Sequence, residues 1–411
     1  MLDVKKIRKD FPMLDNKTMQ GKPLVYLDNA STTFKPRSVI EAMNKYYLEM
    51  NANSHRGDYD LCYNMDMEVL ATRKAIAKFI NSDVNEVVFT SGDTEALNLV
   101  AYGYALKFLH KGDKILLSIE EHASNVLPWF RICELTGAEV IYVSLEKGRI
   151  TLEGVKRAFN KDKNIKIVSL AHVGNVLGYE IPAKEIADVC HQNNAILVLD
   201  GAQSVPHMKT NFKELDADFL TFSAHKMCGP TGIGCLIGKY DLLQKMDTFH
   251  TGGGMNVTFK SSGEVIPLDA PSKFEAGTLN LSGIMGFKAA IEYLENIGLD
   301  NIHKHDQELF DYAISKLEGH DNILIYNKDA RNGILSFNIK DVFAQDEATL
   351  LNSKGIAVRS GQHCAKMIDE VIGEPATVRM STYLYTSKED IDVFCENLIN
   401  GGDILDAYFF N

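Results

Sequence analysis

From about residue 86 to residue 240, short apolar runs alternate with amphipathic ones, and few folds accommodate that text. The pattern predicts strands over 86–90, 114–119, 140–143, 165–170, 195–199 and 218–222. Between them it predicts helices over 94–108, 125–135, 152–159 and 183–193. A strand over 232–237 is expected to close the region. Strand–helix alternation on this scale gives a mostly parallel sheet covered on both faces, so the fold class is α/β. Such sheets carry their chemistry at the carboxyl ends of the strands, and the polar residues to examine are those that follow each apolar run.

Beyond residue 245 the text changes. Glycine and proline clusters over 245–280 predict a long ordered loop, a feature that is usually functional inside a domain. A helix over 282–297 follows. Helices over 305–317, 345–352 and 388–399, with strands over 323–326, 334–338, 356–359 and 376–381, then describe a small α+β domain. The expected division is a segment 1–20 packing with the small domain, a large domain 21–295 and a small domain 296–411. At 411 residues and 45% apolar, the chain has material for a large core. A net charge of −12 argues against nucleic acid or an anionic membrane as the main partner. The charged start Met1-Leu2-Asp3-Val4-Lys5-Lys6 and the lack of a long apolar run lead to the expectation of a cytoplasmic chain with no membrane partner. Seven scattered cysteines without a Cys-x-x-Cys pair fit reduced thiols, and no metal site is expected.

Two polar sets stand out. Asp200-Gly201-Ala202-Gln203 follows one predicted strand and Ser223-Ala224-His225-Lys226 the next, so an acid and an amine face one crevice. Pyridoxal phosphate needs that couple: a lysine to hold it as a Schiff base and a carboxylate to keep its ring nitrogen protonated. Ser91-Gly92-Asp93-Thr94-Glu95 lies at a strand-to-helix junction, where free N–H groups suit a phosphate and where a plain helix cap reads the same. Ser223 and His225 are the polar side chains beside Lys226 that would join Thr94 there. His122 follows another strand, where an imidazole stacks on a ring and moves protons near neutrality. The amides of Asn175 and Gln203 share this edge and suit a cofactor oxygen or a substrate carboxylate.

A second locus runs Arg359-Ser360-Gly361-Gln362-His363-Cys364-Ala365. Cys133, Cys190, Cys235 and Cys395 sit in helical or strand patterns and read as small core residues, and Cys62 and Cys228 fit either role. Cys364 instead follows a strand and a glycine, beside His363 and near Arg359 and Lys366, which makes it the nucleophile candidate. Arg379, in the next strand, offers a planar fork for a carboxylate.

Taken together, the segments Tyr26-Leu27-Asp28-Asn29-Ala30-Ser31-Thr32-Thr33, Glu121-His122-Ala123-Ser124-Asn125, Asp200 to Gln203, Phe222 to Lys226 and Gly229-Pro230-Thr231-Gly232-Ile233-Gly234 resemble those of fold-type I, class V aminotransferase-like pyridoxal phosphate enzymes. Lys273-Phe274-Glu275-Ala276-Gly277-Thr278 and the run Arg359 to Ala365 narrow the resemblance to group II cysteine desulfurases of the Suf iron–sulfur assembly type. Selenocysteine lyase activity is common in that group. The resemblance implies a Schiff base on Lys226, Asp200 on the ring nitrogen, His122 stacked on the ring, and Gln203 and Asn175 on cofactor or substrate. It assigns Thr94, Ser223 and His225 to the phosphate, joined by Thr278 from the other subunit of a homodimer. Arg379 then holds the substrate carboxylate, with Arg359 and His55 at the rim. L-cysteine, or L-selenocysteine, is the implied substrate. Cys364 takes its sulfur as a persulfide, alanine leaves, and a sulfur-acceptor protein of the Suf system collects the product.

The chain departs from the pattern at Asp93, where a threonine is common and an anion repels phosphate unless it caps the helix and points away. Gln362, Lys366-Met367 and Gly174 are further departures. Two other readings stay open: an aminotransferase or β-lyase of the same fold, and a non-catalytic cofactor-bound scaffold.

Overall fold

Seven strands form the central sheet: β1 (Val87–Thr90), β2 (Lys114–Leu117), β3 (Glu139–Tyr142), β4 (Ile165–Ala171), β5 (Ile196–Asp200), β6 (Phe219–Ser223) and β7 (Gly234–Gly238). The computed structural model in which they are seen describes residues 2–54 and 57–402. Their spatial order is β1-β7-β6-β5-β4-β2-β3. Strand β7 lies antiparallel between β1 and β6; the other pairs are parallel. The α/β class with a mostly parallel seven-stranded sheet is the one found.

Both phases of each strand are apolar because both faces are covered. Leu197 and Leu199 of β5 join Leu116, Leu170 and Phe222 in one core, and Val198 between them joins Ile115, Ile167 and Phe219 in the other. Helices Asp60–Ile80, Leu152–Lys161, Ala183–Gln192 and Leu281–Ile297 supply the first face, and Asp93–Val100 and Leu127–Thr136 the second. The helices Arg37–Glu49 and Asp60–Ile80 were not legible in the sequence. In the second of these, Met65, Val69 and Ile76 are buried while Tyr63, Met67 and Leu70 are exposed, so apolar residues on two sides blur the helical period.

The expected loop over 245–280 contains a hairpin, β8 (Asn256–Phe259) paired with β9 (Val265–Pro267). Its apolar residues Val257, Phe259 and Val265 stand exposed around a Ser261-Ser262-Gly263 turn, which reads as loop. The end of the segment is tied down by Glu275. Its carboxylate takes a two-pronged bond from Arg73 at 2.9 and 2.7 Å and accepts the Phe89 N–H of β1 at 2.9 Å. Arg73 also lies 4.5 Å over the Phe89 ring. Glu275→Ala leaves a buried guanidinium without its counter-ion and is expected to cost about 3–5 kcal/mol. Thermal or denaturant unfolding measures this, and a loss below about 1 kcal/mol, the range of exposed pairs, contradicts it.

The C-terminal sheet has order β10-β11-β13-β12, all antiparallel, with β10 (Ile323–Ile325), β11 (Ile334–Ile339), β12 (Arg359–Gly361) and β13 (Thr377–Ser381). Leu309, Phe310, Phe337, Val378 and Phe394 make its core beneath the helices Leu299–Leu317 and Lys388–Asn400. The strand expected over 356–359 is two. Ile356–Ala357 pairs with Val25–Tyr26, and the chain changes partner at Val358 so that β12 pairs with β13. At the N-terminus Phe11 meets both Tyr293 and Tyr385 edge-on, and Arg8 donates to the Tyr385 carbonyl and to Asp390. Among the described residues no helix is long and apolar enough to cross a membrane.

Candidate active site

The carboxyl ends of β1, β2, β4, β5 and β6 open on one cavity of about 180 Å³. Asp200, Ser223 and Lys226 line it, as do Thr94, His122 and His225. Asn175, Gln203, Arg359 and Arg379 complete the polar lining. The sheet register brings the acid and the amine together: Asp200 ends β5 opposite Thr221 of β6, and Lys226 follows β6 after one tight turn. Asp200 is 5% exposed and accepts the Ala202 N–H at 2.8 Å. Burial pulls the Lys226 ammonium down from its ordinary range, with Asp200 opposing the shift. Burial likewise pushes Asp200 up, opposed by Lys226. A lysine with a larger share of free amine is a readier nucleophile toward a carbonyl carbon.

Short polar groups cluster at the entrance of the helix Asp93–Val100. Thr94 and Ser124 hydroxyls lie 2.7 Å apart, the Asp93 N–H donates to Ser223 Oγ at 2.8 Å, and His225 Nδ1 sits 3.2 Å from Thr32 Oγ1. Asp93 itself does not meet the condition under which it would spare a phosphate: no side-chain cap bond forms, and the buried carboxyl lines the cavity.

His122 differs from expectation in its charge. Its Nδ1 accepts the Ser124 N–H at 3.1 Å. Burial, followed by Lys226, Arg359 and Arg379, holds its pKa down to about 4. The imidazole is therefore neutral at ordinary pH, suited to stacking and to carrying a proton on Nε2, rather than poised between two charge states.

Arg379 is 1% exposed; one Nη donates to the Asn175 carbonyl at 2.8 Å, and the other reaches Asp28 at 3.2 Å and Ser31 at 3.1 Å. Burial brings it down to about 10. Arg359 shares Ser31 and donates to the Cys364 sulfur at 3.1 Å. The backbone oxygen of Cys364 accepts the Ala123 N–H at 2.7 Å, so the cysteine loop is bonded to the residue after His122. His363 and Cys364 both hold left-handed backbone, φ 53° and 61°, separated by Gln362 from Gly361 at φ 112°. Asn175 Nδ2 secures the loop by donating to the His363 carbonyl at 2.8 Å. Cys364 does not line the cavity. Neither does Thr278, which is exposed and accepts from Asn53 at 3.2 Å. His55 lies outside the described residues. Cys62 and Cys228 are buried.

Two supporting groups escaped the sequence reading. The His225 carbonyl, one bond before Lys226, accepts from the Thr33 N–H, the Thr32 and Thr33 hydroxyls and the Lys35 ammonium, at 3.0–3.1 Å. Behind His122, buried Glu121 accepts from Asn125 at 2.7 Å and from the Ala171 N–H, while Trp129 and Ser169 both donate to Asn125 Oδ1. The only trace of either was position: each flanks a segment already singled out.

The lining fits a phosphorylated pyridine aldehyde. It has an amine to condense with the aldehyde, a buried carboxyl for the ring nitrogen, and hydroxyls with a helix entrance for the phosphate. Gln203 Oε1 and Arg379 Nε are buried polar atoms with no partner of their own, so the cavity keeps unspent bonding capacity. Fold and site together define a pyridoxal phosphate enzyme of the α/β type. The chain belongs to the class-V aminotransferase family, whose model matches residues 25–394. It is 44% identical over 399 residues to a protein of Halalkalibacterium halodurans named "Probable cysteine desulfurase", covering 97% of each chain. Among solved structures it is similar to the cysteine desulfurase of Thermococcus onnurineus NA1, with TM-score 0.91, 34% identity and coverage of 98% and 99%. A cysteine desulfurase of Escherichia coli in its S-sulfonic acid form matches with TM-score 0.90, 31% identity and 99% coverage of both chains.

Proposed function

We propose that this chain is a pyridoxal phosphate-dependent cysteine desulfurase that moves the sulfur of L-cysteine onto Cys364 and releases L-alanine. The observation that carries this reading is Arg359 donating to the Cys364 sulfur at 3.1 Å, on a loop bonded to the residue beside His122. The guanidinium holds the sulfur in place beside the cavity, and thiolate is the form that attacks sulfur.

Pyridoxal phosphate, when bound, withdraws electrons from the substrate α-carbon. The chain's residues do the rest. Lys226 anchors the cofactor and, once displaced by substrate, carries protons to and from the substrate carbons. Asp200 would meet the ring nitrogen, neutral His122 would lie against the ring, and Gln203 and Asn175 would bond its oxygen and the substrate. Thr94, Ser223 and His225 would hold the phosphate, joined by Thr278 from a second copy. Arg379 turns part of its donor fork to the substrate carboxylate, with Arg359 and His55 at the rim. The Cys364 thiolate attacks the substrate sulfur: an S–S bond forms, the C–S bond breaks, its electron pair stays on carbon, and a proton there completes alanine.

The persulfide is then passed to an acceptor thiol on a Suf-type protein for iron–sulfur assembly. Homodimerisation is supported by Thr278 lying outside its own chain's cavity and by the exposed Tyr47, Leu48, Tyr63 and Leu127. Free cysteines throughout support a reducing, cytoplasmic setting. Peptide mass spectrometry after L-cysteine treatment tests the proposal. One added sulfur on Cys364 is the expected result, and an unmodified Cys364 alongside released alanine or pyruvate rejects it in favour of a lyase or aminotransferase.

A further inference from the structure

Asp93 has no part in the reading above. It occupies the first turn of the helix Asp93–Val100, where an acidic side chain ordinarily satisfies free N–H groups, yet it makes no cap bond. The side chain instead turns inward. It is 7% exposed, its Oδ1 has no partner, and it lines the same cavity as Asp200 and Lys226. The backbone fixes that approach: the Asp93 N–H is bonded to Ser223 Oγ at 2.8 Å, and Gly234 of β7 admits the helix entrance so closely that a Cβ there would lie 2.6 Å from Gly92 Cα. Thr221, opposite Asp200 in the β5–β6 register, is also fully buried, with its hydroxyl beside the Asp93 carboxyl.

Two buried carboxyls therefore line one cavity, with buried Glu121 behind Asp200. The charged group facing both is Lys226, after β6, while His122, His225, Arg359 and Arg379 stand elsewhere around the same space. One ammonium does not neutralise two buried carboxylates, so one acid must keep its proton. Burial and then Asp200 push Asp93 up to about 8, against the smaller opposing pulls of Thr221 and Lys226.

We propose that Asp93 is a positioning acid for Asp200: it stays protonated when the cofactor is bound and donates to Asp200, which then meets the ring nitrogen as one oriented anion. The proposal rests on the pyridoxal phosphate reading of the site. It also removes the difficulty of an acid beside Thr94, since a neutral carboxyl does not repel a phosphate.

The test uses the full-length apoprotein as wild type, Asp93→Asn and Asp93→Val, titrated with pyridoxal phosphate and read by the fluorescence of Trp129, the only tryptophan. Asparagine still donates to Asp200 and is expected to bind within about threefold of wild type near pH 7, whereas valine binds at least about tenfold more weakly. The sign with pH follows from the raised pKa: the protonated acid is the binding form, so wild-type affinity is lost as pH rises through about 8. Asparagine has no such proton. The wild-type to asparagine ratio of dissociation constants should be flat below about pH 7 and rise roughly five- to tenfold by about pH 9. Lys226 ionises in both proteins, and an ionised Asp93 keeps it charged to higher pH in wild type, which moves the ratio in the same upward direction. A flat or falling ratio overturns the proposal whatever the valine variant does, including failure to fold. Absence of any cofactor binding by wild type would overturn the pyridoxal phosphate reading instead.

Discussion

Cys364→Ser is expected to lower alanine release from L-cysteine by at least about a thousandfold, a barrier increase of roughly 4 kcal/mol. Serine has nearly the same shape and keeps a donor–acceptor atom beside Arg359, so the loop over 361–364 should hold its backbone. What it lacks is a soft, polarisable sulfur, and attack on a substrate sulfur atom requires one. The visible spectrum of the bound cofactor should be unchanged, because Cys364 lies outside the cavity that holds Lys226 and Asp200. That split, intact cofactor with lost turnover, separates loss of the nucleophile from general damage. Arg359→Gln should show a weaker form of the same split: the guanidinium at 3.1 Å is removed while the thiol remains. Alanine release by Cys364→Ser at the wild-type rate would mean that the cavity alone breaks the C–S bond and that the cysteine loop has another purpose.

Much of this was legible in the sequence because strand ends are marked by abrupt changes from apolar to polar text. Asp200, Lys226, His122 and Thr94 each follow such a change, and the structure gathers all four around one cavity. Less legible was anything decided by side-chain direction. Asp93 reads as a helix cap, since acids at first turns usually are, but the close approach of Gly92 to Gly234 turns it inward. The neutral state of His122 depends on burial and three neighbouring cations that come from distant parts of the chain. Lys35 looks like a surface lysine between Phe34 and Pro36, and only the fold shows it bonded to the His225 carbonyl at 3.0 Å. The helix Asp60–Ile80 was missed for the opposite reason, because apolar residues on its exposed side mask the period that its buried side obeys.

The other large effect is expected from Lys226→Ala, which removes the proposed anchor and proton carrier and a cation that opposes the charge of both buried acids. Borohydride reduction followed by mass spectrometry should find cofactor fixed to wild type and none on the variant, and turnover should fall by about four orders of magnitude. The apoprotein should also change its dependence on pH. Lys226 holds down the pKa values of both Asp93 and Asp200, so without it both carboxyls are pushed higher still in the folded state. A carboxyl whose folded pKa exceeds its unfolded value binds more protons when folded, and stability then falls as pH rises between the two values. For Asp93 that window runs from the ordinary carboxylate range near 4 to about 8 in wild type, and it extends upward in the variant. Lys226→Ala apoprotein should therefore lose stability more steeply than wild type as pH is raised from about 5 to about 9. Denaturant unfolding at several pH values measures the two slopes. Parallel slopes would show that Lys226 does not compensate the carboxyl pair, and covalently bound cofactor persisting in the variant would show that another amine anchors it.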